Sequence, residues 1–425
     1  MTDASSGRGP RVGGRWLTMF ALAWLAVWTV QLTPVQLLLP LQLDTPGGSR
    51  DWIGGVVWSG LILSVGGLAG VIAGPVAGML SDRTSSRWGR RRPWTIGGSV
   101  LTAGSLVLAG AADGPPAVGA AWIGVSVGIA VVSAALTALI ADQVEQQRGT
   151  ASAVVSSAQA VGIVVGVGAV VLLGLGIAES YLVLASFILV VGIAAAVLLP
   201  DPPASRSALA DAAATRAAGR DRWGVLRRRD FSLLLIGRLM VNIGNALGTA
   251  LLLFFLLYGI GSPSETAEDE LLLLIVVYTV FVVAASLVAG AISDRTGRRR
   301  VIVVVAGLVQ ALSAALILIM PTLVGTAVAA AFMGVGYGAY MAVSLALATD
   351  LLPDDRDSAR DLGMVNVSAN LGQLLGPLIG AGLVALVGAF WLLFLVAGIL
   401  SVIGSVLTPA ARPVRASLSP GPAAR

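Results

Sequence analysis

The sequence contains no cysteine, no histidine and no lysine. Without cysteine there is neither a disulfide framework nor a thiolate metal site. Without histidine the usual proton shuttle and the commonest metal ligand are gone, so neither a metal nor a cofactor is expected. Every one of the 27 basic residues is arginine. Charge of either sign is scarce, at 12% of residues, where soluble domains carry about a quarter. The net charge of +5 invites a nucleic-acid partner, but the arginines stand in short stretches between apolar runs and form no continuous basic groove. An enzyme within the membrane would need clusters of histidine, cysteine or metal ligands, and no sizeable soluble stretch is present for a receptor. No enzyme activity is expected.

Long apolar runs take the place of all this, and the chain is 56% hydrophobic. About 20 mostly apolar residues cross the hydrocarbon core as a helix. On that measure the sequence holds twelve spans, at roughly 16–39, 53–80, 94–112, 117–141, 151–176, 180–199, 231–258, 271–292, 301–320, 323–349, 362–387 and 389–408. The fold class is therefore an all-α integral membrane protein. Arg8, Arg11 and Arg15 before the first span resemble the start of a signal peptide. No small-residue cleavage site follows, so the span is expected to be retained. With the N-terminus in the cytoplasm, every arginine except Arg50 and Arg238 falls on the cytoplasmic side, and the loop "SPSETAEDE" on the other side is acidic. This bias orients the chain with both termini in the cytoplasm. Residues 1–15 form a cytoplasmic tail, 16–199 and 231–408 the two sets of six spans, 200–230 a basic cytoplasmic linker with seven arginines, and 409–425 a disordered tail.

The two sets repeat one another. "GMLSDRTSSRWGRRR" begins at Gly78 and "GAISDRTGRRR" at Gly290, with Asp82 and Asp294 212 positions apart. The first copy then inserts four residues, and the offset of 208 that follows also relates Asp142 to Asp350 and Arg148 to Arg356. Two homologous six-helix halves of this kind are a transporter architecture. The repeated G-x-x-S-D-R pattern with its arginine run resembles the major facilitator superfamily over nearly the whole chain. Within it, "QLTPVQLLLP" from Gln31 and the extended "SDRTSSRWGRRRPW" from Ser81 are similar to the sucrose-type and glycoside-pentoside-hexuronide cation symporters. At one position the chain departs from the plant sucrose carriers, with Thr137 where they tend to carry an arginine.

The residues of the repeated loops suit a charge lock at the cytoplasmic gate, closed when a carrier faces outward. Asp82, Arg83, Gly89, Arg90, Asp142 and Arg148 belong to the first copy, and Asp294, Arg295, Gly297, Arg298, Asp350 and Arg356 to the second. Asp142 also reads as a proton-coupling residue, as does Asp44 at the outer end of span 1; no acid lies deep in a span. The resemblance implies that helices 1, 4, 7 and 10 line a central cavity. It points to Gln31, Gln36, Thr137, Asn242, Asn245, Tyr337 and Tyr340 as solute-binding residues, whose amides and hydroxyls suit sugar hydroxyls. Arg238, inside span 7, either snorkels or pairs with Asp350, or else faces the cavity and holds an anionic group. The expected function is alternating-access transport of a small polar solute, a sugar or glycoside, across the cell (inner) membrane, with protons as a coupling partner and the protein acting as a monomer in the bilayer. The alternative is an exporter of drugs or secondary metabolites.

Overall fold

The computed structural model describes residues 12–44, 52–84, 86–144, 148–201, 229–350 and 358–410. Residues 1–11 and 411–425, most of the 200–230 linker, Arg356, and the side chains of Arg148 and Asp350 lie outside the described residues.

Each of the twelve expected spans is a helix. They are α1 (Gly14–Leu43), α2 (Trp52–Arg83), α3 (Arg92–Gly110), α4 (Pro115–Gln143), α5 (Arg148–Leu172), α6 (Ile177–Leu198), α7 (Arg229–Ala250, continued to Ile260), α8 (Ser264–Thr296), α9 (Arg299–Ile319), α10 (Leu323–Asp350), α11 (Ser358–Val387) and α12 (Trp391–Ala410). Eleven of them are long and apolar enough to cross a membrane. The twelfth, α3, buries Thr95, Ser99, Thr102 and Ser105 along one face, and these hydroxyls lower its hydropathy. Prolines open α3 and α4, where the missing N–H costs nothing.

The acidic stretch expected as a loop is helical. Ser264–Glu270 forms the first two turns of α8, directly after Pro263. Carboxylates at a helix N-terminus oppose the positive end of its dipole and stabilise it there.

Helices α1 and α7 each contain a wider π-helical turn away from the end bearing the termini, at Pro34–Leu38 and Phe255–Ile260. Such turns break the regular backbone ladder and recur at functional sites.

Helices α1 to α6 pack on one another, as do α7 to α12, and the halves meet through α2 with α11 and α5 with α8. Large apolar side chains such as Leu108, Leu172, Val190, Leu287, Ile319 and Leu386 stand exposed along the outside. Lipid, not water, satisfies such a surface, while the helices keep most backbone hydrogen bonds internal.

The cross-half seam depends on small residues. A Cβ on Gly60 of α2 would lie 2.4 Å from the Ala381 Cβ and 2.7 Å from the Pro377 carbonyl oxygen of α11. Any larger residue there would push the halves apart. One turn on, the Ser64 hydroxyl donates to the Leu374 carbonyl at 2.8 Å, a bond worth about 0.6 kcal/mol in a membrane bundle. Leu253, Leu256, Ala267 and Leu271 of the second half join the apolar core of the first. These cross-half contacts all lie in the part of the bundle away from the termini.

Candidate functional site

Three groups of polar residues stand out along the bundle, one at the arginine-rich end, one at the far end and one between.

At the arginine-rich end, Asp82 sits in the last turn of α2 and Asp142 in the last turn of α4. Arg91, only 4% exposed, reaches both carboxylates, at 2.7 Å from Asp82 and 3.1 Å from Asp142. Arg90 approaches Asp142 at 2.7 Å. Arg91 also donates to the Ser81 hydroxyl. The ion pairs thus tie α2, the following loop and α4 of one half together and do not bridge to the other half. Arg83 points outward and is exposed.

A residue absent from the sequence reading completes this cluster. Asp201, just after α6, accepts the backbone N–H groups of Arg91 and Arg92 at 2.6 and 2.7 Å. Those donors open α3 and have no partner within the helix, so the carboxylate caps it. Arg92 in return donates to the carbonyl groups of Ala196 and Val197 at the end of α6. Gly89 makes the turn possible. Its φ is +112°, and a Cβ there would overlap the Asp201 carboxylate, so no other residue fits.

The second copy is built differently. Gly297 (φ +64°) closes α8 in the left-handed region, its N–H on the Ser293 carbonyl at 2.9 Å. Arg299 donates to the Ala346 carbonyl of α10 at 2.9 Å. Asp294, Arg295 and Arg298 are exposed, and Asp294 forms no salt bridge among the described residues. The buried Ser293 hydroxyl, the counterpart of Ser81, has no hydrogen-bond partner among the described residues. The four extra residues of the first loop carry Arg90 and Arg91 back over the ends of α2 and α4.

At the far end the halves are joined side chain to side chain. The Tyr258 hydroxyl of α7 donates to the Asp44 carboxylate at the end of α1, at 2.6 Å. Trp52 of α2 lies between two rings of the other half, with centroids 5.0 Å from Tyr258 and 5.4 Å from Phe390, at interplanar angles of 10° and 17°. Phe255 packs edge-on to Phe390 and Phe394 behind it. Offset stacks of this kind are worth about 0.5–1.5 kcal/mol each beyond their buried area.

Between the ends, the second half carries a connected polar chain. Tyr337 of α10 donates to Asn242 at 3.0 Å, and the Asn242 amide donates to the Arg238 carbonyl at 2.7 Å. Asn245 accepts from Tyr278 of α8 at 2.9 Å. Arg238 is buried, with one Nη donating to Ser344 and its Nε without an acceptor. It does not snorkel. Tyr340 is wholly buried, its hydroxyl 2.5 Å from Thr408 of α12, so it is committed to helix packing.

In the first half Gln31 and Gln36 are partly exposed on α1, with no side-chain hydrogen bond among the described residues. Gln36 lies within the π-helical turn. Thr137 is exposed on α4, near the arginine-rich end.

The family model for the Major Facilitator Superfamily matches residues 6–166, 59–267 and 239–425. Shorter stretches are similar to curated proteins. The general alpha-glucoside permease of Schizosaccharomyces pombe is 36% identical over 97 residues, 22% of this chain and 15% of that one. An uncharacterized symporter of Synechocystis is 50% identical over 42 residues, and a sucrose transport protein of Oryza sativa subsp. japonica 44% over 45, in each case 8% of the relative's length. The matched stretches thus span at most 15% of these relatives. Among solved structures, a nucleoside transporter superposes with a TM-score of 0.74 at 15% identity, covering 93% of this chain and 98% of that one. A bacterial homolog of the human lysosomal transporter Spinster gives 0.68 at 14%, covering 93% and 96%. At such identities the likeness is one of fold.

Proposed function

Because the chain belongs to the Major Facilitator Superfamily and is a multi-pass membrane transporter, not an enzyme, we propose that it moves a small polar solute, a sugar or glycoside, by alternating access. It resides in the cell membrane as a monomer, with both termini in the cytoplasm, and uses the proton gradient. The far end is then the outer gate, closed by Trp52 and the Asp44–Tyr258 bond, and the Asp82–Arg91–Asp142 cluster braces the cytoplasmic ends of the first half.

The observation that carries this reading is the pair of unbonded amides, Gln31 and Gln36, on the helix whose far end bears Asp44. Partly exposed on α1 and without a side-chain hydrogen bond among the described residues, these amides are open to water or a solute hydroxyl. Across the pathway, the half-buried Tyr337 offers its hydroxyl oxygen as an acceptor, its proton being donated to Asn242. The similarity of short stretches to an alpha-glucoside permease and to sucrose transport proteins supports a sugar. Of the two candidate coupling acids, Asp44 is favoured, since it alone joins one half to the other.

The test is uptake into proteoliposomes carrying the purified chain, with labelled alpha-glucoside, sucrose, nucleoside and an amphipathic drug. Accumulation of a sugar under an inward proton gradient, with alkalinisation of the medium, is the expected result. Transport of the drug alone, against its gradient, would favour the exporter instead.

A further inference from the structure

Arg238 is the largest fully buried side chain of the described residues, 2% exposed, and lies where α7 meets α10. A guanidinium has five N–H donors and a charge that does not titrate in proteins. Ser344 is its one hydrogen-bond partner among the described residues, and its Nε is enclosed without an acceptor. No carboxylate lies within ion-pair distance of it among these residues. Among the described residues, the groups around it are neutral. Asn242 stands one turn along α7 and is held by Tyr337, and Tyr340 is turned to Thr408. Hydroxyls and amides can solvate part of a cation, but none supplies the opposite charge that a buried ion requires.

We propose that Arg238 anchors an anion site in the α7–α10 seam, filled during transport by the carboxylate of an acidic solute or by free chloride. The proposal rests on the transport reading above and specifies what the second half recognises. The free N–H groups of the guanidinium form a planar fork that suits a carboxylate and also accepts a monatomic anion. Ser344 accepts from one Nη and Tyr337 donates to Asn242, so the guanidinium itself holds the anion, while Gln31 and Gln36 of the other half take the neutral hydroxyls. Alternating exposure of the seam would let the anion enter and leave, and its charge would cancel that of Arg238 during the crossing.

The test is equilibrium binding to the purified full chain, read by tryptophan fluorescence and by thermal stabilisation. The probes are methyl glucoside and methyl glucuronide, which differ by one carboxylate, each in sodium chloride and in sodium methanesulfonate. If the solute supplies the anion, the glucuronide binds about tenfold more tightly than the glucoside, and Arg238→Gln brings that ratio to about one. If the anion is free, chloride tightens glucoside binding about tenfold in the wild type but not in Arg238→Gln. Arg238→Lys keeps the charge without the fork and should fall between, and Ser344→Ala, with the arginine intact, should retain anion selectivity. Equal binding of both sugars with no chloride effect in the wild type overturns the site, whether or not Arg238→Gln folds. If neither sugar binds while chloride still stabilises the wild type and not Arg238→Gln, the anion site stands and the sugar reading fails.

Discussion

The Tyr258 hydroxyl and the Asp44 carboxylate meet at 2.6 Å across the two halves, and Trp52 stacks on the same tyrosine ring. Hydrogen bond and stack can be separated by one atom. Tyr258→Phe removes the bond and keeps the ring. A hydrogen bond to a charged acceptor is worth about 1.5–3 kcal/mol, so the far end should open about tenfold more often. The readout is maleimide labelling from outside of a cysteine introduced at Gln36, in a chain that has none of its own. Adding Trp52→Ala to Tyr258→Phe should speed labelling further, because it removes both stacks as well.

Asp44 and Asp142 are distinguished by what surrounds them. Asp142 is engaged by Arg90 and Arg91 within one half, and Asp44 by Tyr258 of the other. Asp44→Asn should abolish accumulation driven by a pH gradient while solute exchange at equal pH persists. Asp142→Asn should slow both without removing the pH dependence. The reverse pattern in proteoliposomes would move the coupling site to Asp142.

The two copies of the repeated loop should respond unequally to the same change. Asp82→Asn removes a carboxylate held by Arg91 at 2.7 Å, whereas Asp294 is exposed and forms no ion pair among the described residues. Asp82→Asn is expected to cut the transport rate at least about tenfold, equivalent to about 1.4 kcal/mol on the rate-limiting step, with near-normal membrane yield. Asp294→Asn should fall short of that. Equal effects would mean that the ion pairs of the first copy contribute nothing beyond topology.

Gly89 gives a further check on the same cluster. Gly89→Ala places a Cβ against Asp201 at a φ of +112°, so it should lower the melting temperature more than Asp201→Asn. The latter weakens only the α3 cap, worth about 1 kcal/mol.

Helix number, the internal repeat and the arginine bias were all legible in the sequence, because each rests on local composition: apolar length, recurring Ser-Asp-Arg, and charge between spans. Asp82, Asp142 and Gly89 were legible as members of one cluster because the spacing recurs. Asp201 was not, since its role depends on a contact with Arg91, which lies 110 positions earlier in the chain. Tyr278 escaped notice because nothing in an apolar run tells which face meets Asn245. Tyr340 was assigned to the cavity by its helix, but rotation about the helix axis turns it to Thr408. The acidic segment before Leu271 looked like a loop because polarity at a helix start and polarity in a loop are alike in composition.

The central claim is that the two halves exchange which end is open. Because no native cysteine interferes, spin labels can be placed on cysteines at Leu173 and Ser264 near the far end, and in a second variant at Trp88 and Arg298 near the arginine-rich end. Distances measured by pulsed electron resonance, with and without a transported solute, test it directly. The account predicts opposite shifts, one pair moving apart as the other closes. Distances that stay fixed at both ends, or that widen together, would contradict it.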